Sequence, residues 1–106
     1  PDHRAAGQAT LDAVFPLARD RLSFPELYEQ GYQPHKVATV LLINFSTSNF
    51  SVDITNTLDK KIEAIEAHVS QFADHSVSTW VKEFAHEQGK VAGYELAESF
   101  VRIDVR

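Results

Sequence analysis

Apolar positions recur along this chain with two different periods, and each change of period marks an element. Ala6, Ala9 or Thr10, Ala13, Val14 and Leu17 fall at helical spacing, which predicts a helix over residues 3–18. Asp2 is placed to cap it, because a carboxylate there accepts a free N–H of the first turn. Small residues at 5, 6, 7 and 9 would let the helix lie close against a sheet. Gly7 costs roughly 1 kcal/mol relative to alanine, so close packing or a nearby ligand would explain it. Pro16 is expected to kink or end the regular part.

Arg19 to Pro34 reads as a connection in which Phe24 to Gln30 forms a turn or two, stopped by Gly31 and Pro34. Lys36 to Phe45 is the clearest strand. Its near-continuous apolarity predicts burial on both faces, as in a sheet covered by helices. Ser46 to Asn49 is a polar turn, and Phe50 to Ile54 a second, edge strand. Thr55, Asn56 or Thr57 then caps a helix whose dipole Asp59 complements. Leu58, Ile62, Ile65, Val69 and Phe72 step by four, three, four and three, giving one apolar stripe through to Phe72. Ala73 to Ser76 interrupts it.

A last helix is predicted from about Ser78 to Ala97, with Val77, Trp80, Val81, Phe84, Val91 and Tyr94 or Glu95 near one side. Gly89 and Gly93 weaken it and point to a close contact. Phe100 to Val105 alternates and suits a final strand. This inventory of two or three strands and three helices leaves the central strand short of neighbours. The chain by itself should therefore expose a large apolar patch, the usual mark of an interface.

Composition narrows the function. The chain has 106 residues, 43% of them hydrophobic and 24% charged, as expected for one globular domain. A net charge of −5 leaves no basic face for a nucleic-acid backbone. No apolar run approaches the roughly 20 residues that a spanning helix needs. The absence of cysteine excludes disulfides and thiolate metal sites and fits a reducing, cytoplasmic compartment. The chain opens on Pro1 rather than methionine, so a preceding segment is expected.

Five histidines and many carboxylates leave one type of metal site, imidazole and carboxylate around zinc or a similar divalent ion. The histidines are scattered, no His-x-x-x-His pair occurs, and no three ligands share a convincing spacing. Phe24, Tyr28 and Tyr32 either line a sugar site or pin the connection to the core. His35 reads as a surface or packing residue, and His75 and His86 as exposed. His68 and Gln71 flank the apolar stripe, where they either face a cleft or satisfy backbone groups at the helix end.

Pro1-Asp2-His3-Arg4-Ala5-Ala6-Gly7 resembles the tail of the His-Pro-Asp-His-Arg-x-x-Gly signature of the LmbE-like, or PIG-L, zinc-dependent N-acetylglucosaminyl deacetylases. Phe24-Pro25-Glu26-Leu27, Pro34-His35-Lys36-Val37, Val52-Asp53-Ile54-Thr55, Lys61 to Gln71 and Gly93 to Phe100 follow in that family's order. The resemblance covers nearly the whole chain, but only the later part of the family's domain. The signature's first histidine would precede Pro1, and the early Ala-His-Pro-Asp-Asp segment has no counterpart.

The resemblance implies that residues 1–106 are the C-terminal part of a single α/β domain with a three-layer Rossmann-like fold, completed by an N-terminal half. It implies hydrolysis of the N-acetyl amide of an N-acetylated amino sugar, with zinc (or another divalent metal) as cofactor. His3 then matches a metal ligand, and the other ligands and the general base belong to the early segment. Asp2 would lie between two active-site histidines and orient one of them, the alternative being the helix cap. Arg4 would pair with a carboxylate or the substrate, or simply lie on the surface. The fragment alone is expected to be inactive, and a homo-oligomer is consistent with the family. The rival expectation is a non-catalytic interaction or scaffold fragment that docks through its apolar face.

Overall fold

The computed structural model describes residues 1–43, 46–72 and 77–105. It is a mixed α/β structure with helices α1 (Asp2–Asp12), α2 (Pro25–Glu29), α3 (Leu58–Glu66) and α4 (Val77–Ala92). Strands β1 (Thr39–Ile43), β2 (Phe50–Asp53) and β3 (Ala97–Asp104) form one sheet in the order β1-β3-β2. The described residues divide into two compact units, one running from Pro1 to Val40 with the residues from Asp104 onward, the other Leu41–Ile103. No helix among the described residues is long and apolar enough to cross a membrane.

In the first unit α1 begins one residue earlier than expected. The Ala5 N–H donates to the Pro1 carbonyl at 3.0 Å, so Asp2 is already helical and makes no capping bond. A cap must lie just outside the helix, so Asp2 is a first-turn charge favourable to the dipole instead. All of α1 is exposed, and nothing lies within 4 Å of the Cβ a larger residue would carry at position 7. The close packing expected around Gly7 is therefore absent among the described residues. Regular α-helix stops at Asp12 and passes into a wide turn, Ala13–Leu17. There Phe15 is extended (φ −154°, ψ 127°), the conformation that a following proline imposes.

In the second unit β2 pairs antiparallel with β3, Phe50 opposite Phe100 and Asp53 opposite Ala97. As predicted, β2 is an edge strand, while β3 starts earlier than the alternation beyond Phe100 indicated. β1 departs from expectation: Leu41 is exposed and Ile43 is 75% exposed, and Phe45 lies outside the described residues. β1 borders β3 on one side only, so the two-sided burial implied by its composition is not achieved within this chain.

The core joins Ile54, Leu58, Val77, Val81, Ala85 and Leu96, with Ile62 and Ile65 packed against it. The α3 stripe is real as far as Ile65, but the helix ends at Glu66 and Val69 is 71% exposed. The His68 ring explains the stop. Its Nδ1 lies 3.1 Å from the Ala64 carbonyl, and the His68 N–H turns to Ile65 at 3.0 Å. A continuing helix would have given that N–H the Ala64 carbonyl. The residues that interrupt the pattern, 73–76, lie outside the described ones.

α4 buries Val77, Val81, Ala85 and Gly89, a narrower stripe than predicted, and leaves Trp80 and Val91 exposed. Trp80 stacks on Phe84 one turn away, with ring centroids 6.1 Å apart. The helix ends at Ala92 rather than Ala97 because Gly93 adopts φ +83°, a left-handed cap that glycine takes at least cost. Both Gly93 and Tyr94 then donate to the Gly89 carbonyl, at 2.8 and 3.0 Å. Lys61 and Glu98, each about a third exposed, form a 2.6 Å ion pair between α3 and β3.

Between β2 and α3, the Thr55 hydroxyl and N–H both donate to the Asp53 carboxylate, at 2.6 and 3.0 Å. These bonds, the hydroxyl's first, hold the Asp53 pKa below its ordinary value. A depressed folded-state pKa contributes stability that is present above the unfolded value of about 3.9 and lost as pH falls through the folded one. The melting midpoint of the native chain should therefore exceed that of Asp53→Asn at neutral pH, and the gap should close below about pH 4. A gap constant from pH 7 to 2 would refute this role for Asp53.

Candidate functional site

Asp2, His3 and Arg4 occupy the first turn of α1 and are exposed. Successive side chains on a helix diverge, and all tilt toward its N-terminus, so the three fan out at the helix mouth. Among the described residues none of them has a side-chain hydrogen bond or salt bridge. Asp2 thus neither caps α1 nor holds His3 within this chain. What the local fold provides is an exposed imidazole with both ring nitrogens unengaged among the described residues.

The other histidines are not brought to it. His68 is spent on the Ala64 carbonyl, which realises the backbone-satisfying role rather than a cleft-facing one. His86 Nδ1 lies 3.3 Å from the Glu95 carbonyl. His35 lies on the connection, where its N–H donates to the Ala18 carbonyl at 2.7 Å, and His75 lies outside the described residues. No three His, Asp or Glu side chains among the described residues converge as a metal site would require. The described residues by themselves do not form a complete three-ligand zinc centre.

The first unit also contains a cavity of about 380 Å³ at the C-terminal end of α1. Its wall is the connection between residues 19 and 35, and local chemistry explains its shape. The Asp20 carboxylate accepts from the Leu22 N–H (2.9 Å) and the Ser23 hydroxyl (3.0 Å), a turn typical of aspartate. Pro25 opens α2, where its missing N–H costs nothing. Gly31, at φ +95°, closes the helix and lets the Tyr32 N–H reach back to the Leu27 carbonyl at 3.1 Å.

This geometry turns Phe24, Tyr28 and Tyr32 toward the cavity while leaving all three exposed. They line a recess and are not pinned into a core. Arg21, whose guanidinium lies 5.8 Å from the centre of the Tyr28 ring, and Gln33 join the lining. Neither stands out from the sequence, because planar polar residues in a connection have no periodicity to mark them.

The second unit has a larger recess of about 680 Å³, with Asp59, Lys82, Glu83, His86 and Glu95 around its rim. It is assembled from α3, α4 and the approach to β3, so no local spacing announces it.

Sequence comparison supports a relationship to a deacetylase. One curated relative is the diacetylchitobiose deacetylase of Thermococcus kodakarensis, 30% identical over 101 residues. The match takes in 92% of this chain but 38% of that protein, so the chain spans less than two fifths of its relative's length. No family model matches the chain.

Proposed function

We propose that the intact protein carrying this chain is a metal-dependent deacetylase of the LmbE-like kind, which hydrolyses the N-acetyl amide of an N-acetylated amino sugar. The observation that carries this reading is the match of 92% of the chain to a deacetylase. It extends to the substrate class because that relative acts, by its name, on diacetylchitobiose. In this reading the chain is the C-terminal portion of a three-layer Rossmann-like domain, and the rest of the domain brings the further ligands and the general base.

His3 supplies one metal ligand. Its unengaged imidazole at an exposed helix mouth is suited to that task, since a neutral ring nitrogen must be available. Zinc, or another divalent metal, supplies when bound an activated water and a polarised acetyl carbonyl. Asp2 is free to accept a hydrogen bond from an active-site imidazole and fix its tautomer. A cytoplasmic location and association into a homo-oligomer belong to the same proposal.

The second reading, a non-catalytic fragment docking through an apolar face, is favoured by the exposed edge strand, with Ile43 at 75% and Leu41 beside it. One experiment separates the two. The intact protein is incubated with N,N′-diacetylchitobiose and released acetate is measured before chelation, after chelation and after zinc is restored. The deacetylase reading expects release that chelation abolishes and zinc recovers. No release under any of the three conditions leaves the docking reading.

A further inference from the structure

We propose that the cavity beside α2 is a saccharide subsite remote from the reacting acetyl group, one that holds a further sugar ring of an oligosaccharide longer than a disaccharide. The proposal rests on the deacetylase reading for the identity of the polymer, and on the cavity for everything else.

At about 380 Å³ the cavity falls within the range of roughly 300–1,000 Å³ typical of small-molecule sites. Its walls combine aromatic surface with polar groups that the fold does not use. Arg21 forms no salt bridge among the described residues, and its recorded contact is with the Tyr28 ring. The side chains of Gln33 and His35 and the Tyr32 hydroxyl have no hydrogen-bond partner among the described residues. The Asp20 carboxylate accepts from Leu22 and Ser23 and keeps its negative charge beside the cavity.

A pyranose ring matches this lining. Its C–H face packs on the electron-rich face of an aromatic ring, while its rim of hydroxyl and acetamido groups meets the guanidinium, amide and imidazole. Tyr32, at 66% exposed, presents such a face. A lipid chain would leave the polar groups unpaired, and a single guanidinium is a poor match for a polyanion.

The position of the cavity decides which ring it holds. Ala13 contributes to its lining, and His3 lies about ten residues back along α1, roughly 15 Å at 1.5 Å per residue. A disaccharide reacting at His3 falls short of that span and a tetrasaccharide covers it.

The test measures binding of the N-acetylglucosamine dimer and tetramer to the intact protein by calorimetry. The tetramer should bind at least tenfold more tightly than the dimer. Tyr32→Ala, and separately Gln33→Ala, should bring that ratio to within about twofold of unity. Both positions are exposed, so circular dichroism should show both variants folded. His3→Ala should lose acetate release and keep the tetramer's advantage. Equal affinity for the two oligomers, or an advantage that survives both cavity substitutions, overturns the subsite. A Tyr32-dependent advantage in a protein that releases no acetate upholds the subsite and removes the catalytic reading.

Discussion

Replacing His3 by alanine in the intact protein should lower acetate release on the order of 10³-fold and leave the stability of the metal-free protein almost untouched. The rate effect follows from losing a ligand to a group worth several kcal/mol in the transition state, at about 1.4 kcal/mol per tenfold. The stability effect should stay within about 0.5 kcal/mol, since His3 is exposed and makes no bond among the described residues. Bound zinc measured on the purified variant should fall in parallel. Asp2→Asn is the informative neighbour. A carboxylate that orients an active-site imidazole gives a loss of about 10–100-fold, whereas a carboxylate that only complements the helix dipole gives up to about 1 kcal/mol of stability. Full activity in His3→Ala would remove His3 from the site.

The largest expected effect on folding comes from Gly89→Ala. Two contributions oppose each other. Alanine inside a helix is favoured over glycine by about 1 kcal/mol. The added Cβ, however, would stand 2.5 Å from the Tyr94 carbonyl oxygen and 2.7 Å from that of Glu95. These obstacles are backbone atoms, so no rotamer change relieves them. Relief requires α4 to move away from the segment that leads into β3, which loosens Leu96 against Val81 and Ala85. Overpacking of this kind costs about 1–3 kcal/mol and sometimes more, and a rigid backbone clash belongs at the upper end. A net loss of about 2 kcal/mol or more is expected, read as a lower urea midpoint. Gly93→Ala is the control. Its φ of +83° carries a penalty of roughly 1–2 kcal/mol, and it has no atom within 4 Å to strike. A Gly89→Ala midpoint at or above the native one would show that the close approach is not rigid.

Where the sequence proved legible, the relevant physics was local. Pro16 forces Phe15 out of helical geometry whatever surrounds it. Gly31 ends α2 because its positive φ is a property of glycine, and the spacing of Leu58, Ile62 and Ile65 predicts the buried side of α3. The misreadings have an equally plain origin. Val69 continues the period of the stripe, but the His68 ring has taken the carbonyl that the next turn needed. Trp80 and Val91 are apolar enough for a core, yet α4 places Ala85 and Gly89 inward instead. Gly89 was legible as a close contact, although nothing in the sequence says with what.

The candidate site divides along the same line. His3 was singled out as a candidate by a contiguous signature, and contiguity is what a sequence displays. Asp2 was read as a carboxylate that orients an imidazole or as a cap; the cap turns on a single residue of helix phase, and α1 begins one residue too early for it. The aromatic cavity depended on whether Phe24, Tyr28 and Tyr32 would face inward or outward, which the Asp20 turn and the Gly31 reversal decided. The sequence by itself determined the helical and strand periods, because these rest on residue type and on neighbours within a few positions. Only the tertiary structure decided which apolar residues the core covers and which, like Trp80 and Ile43, it leaves exposed. Those outcomes depend on contacts between distant segments, whose energies compete with local preference and here override it.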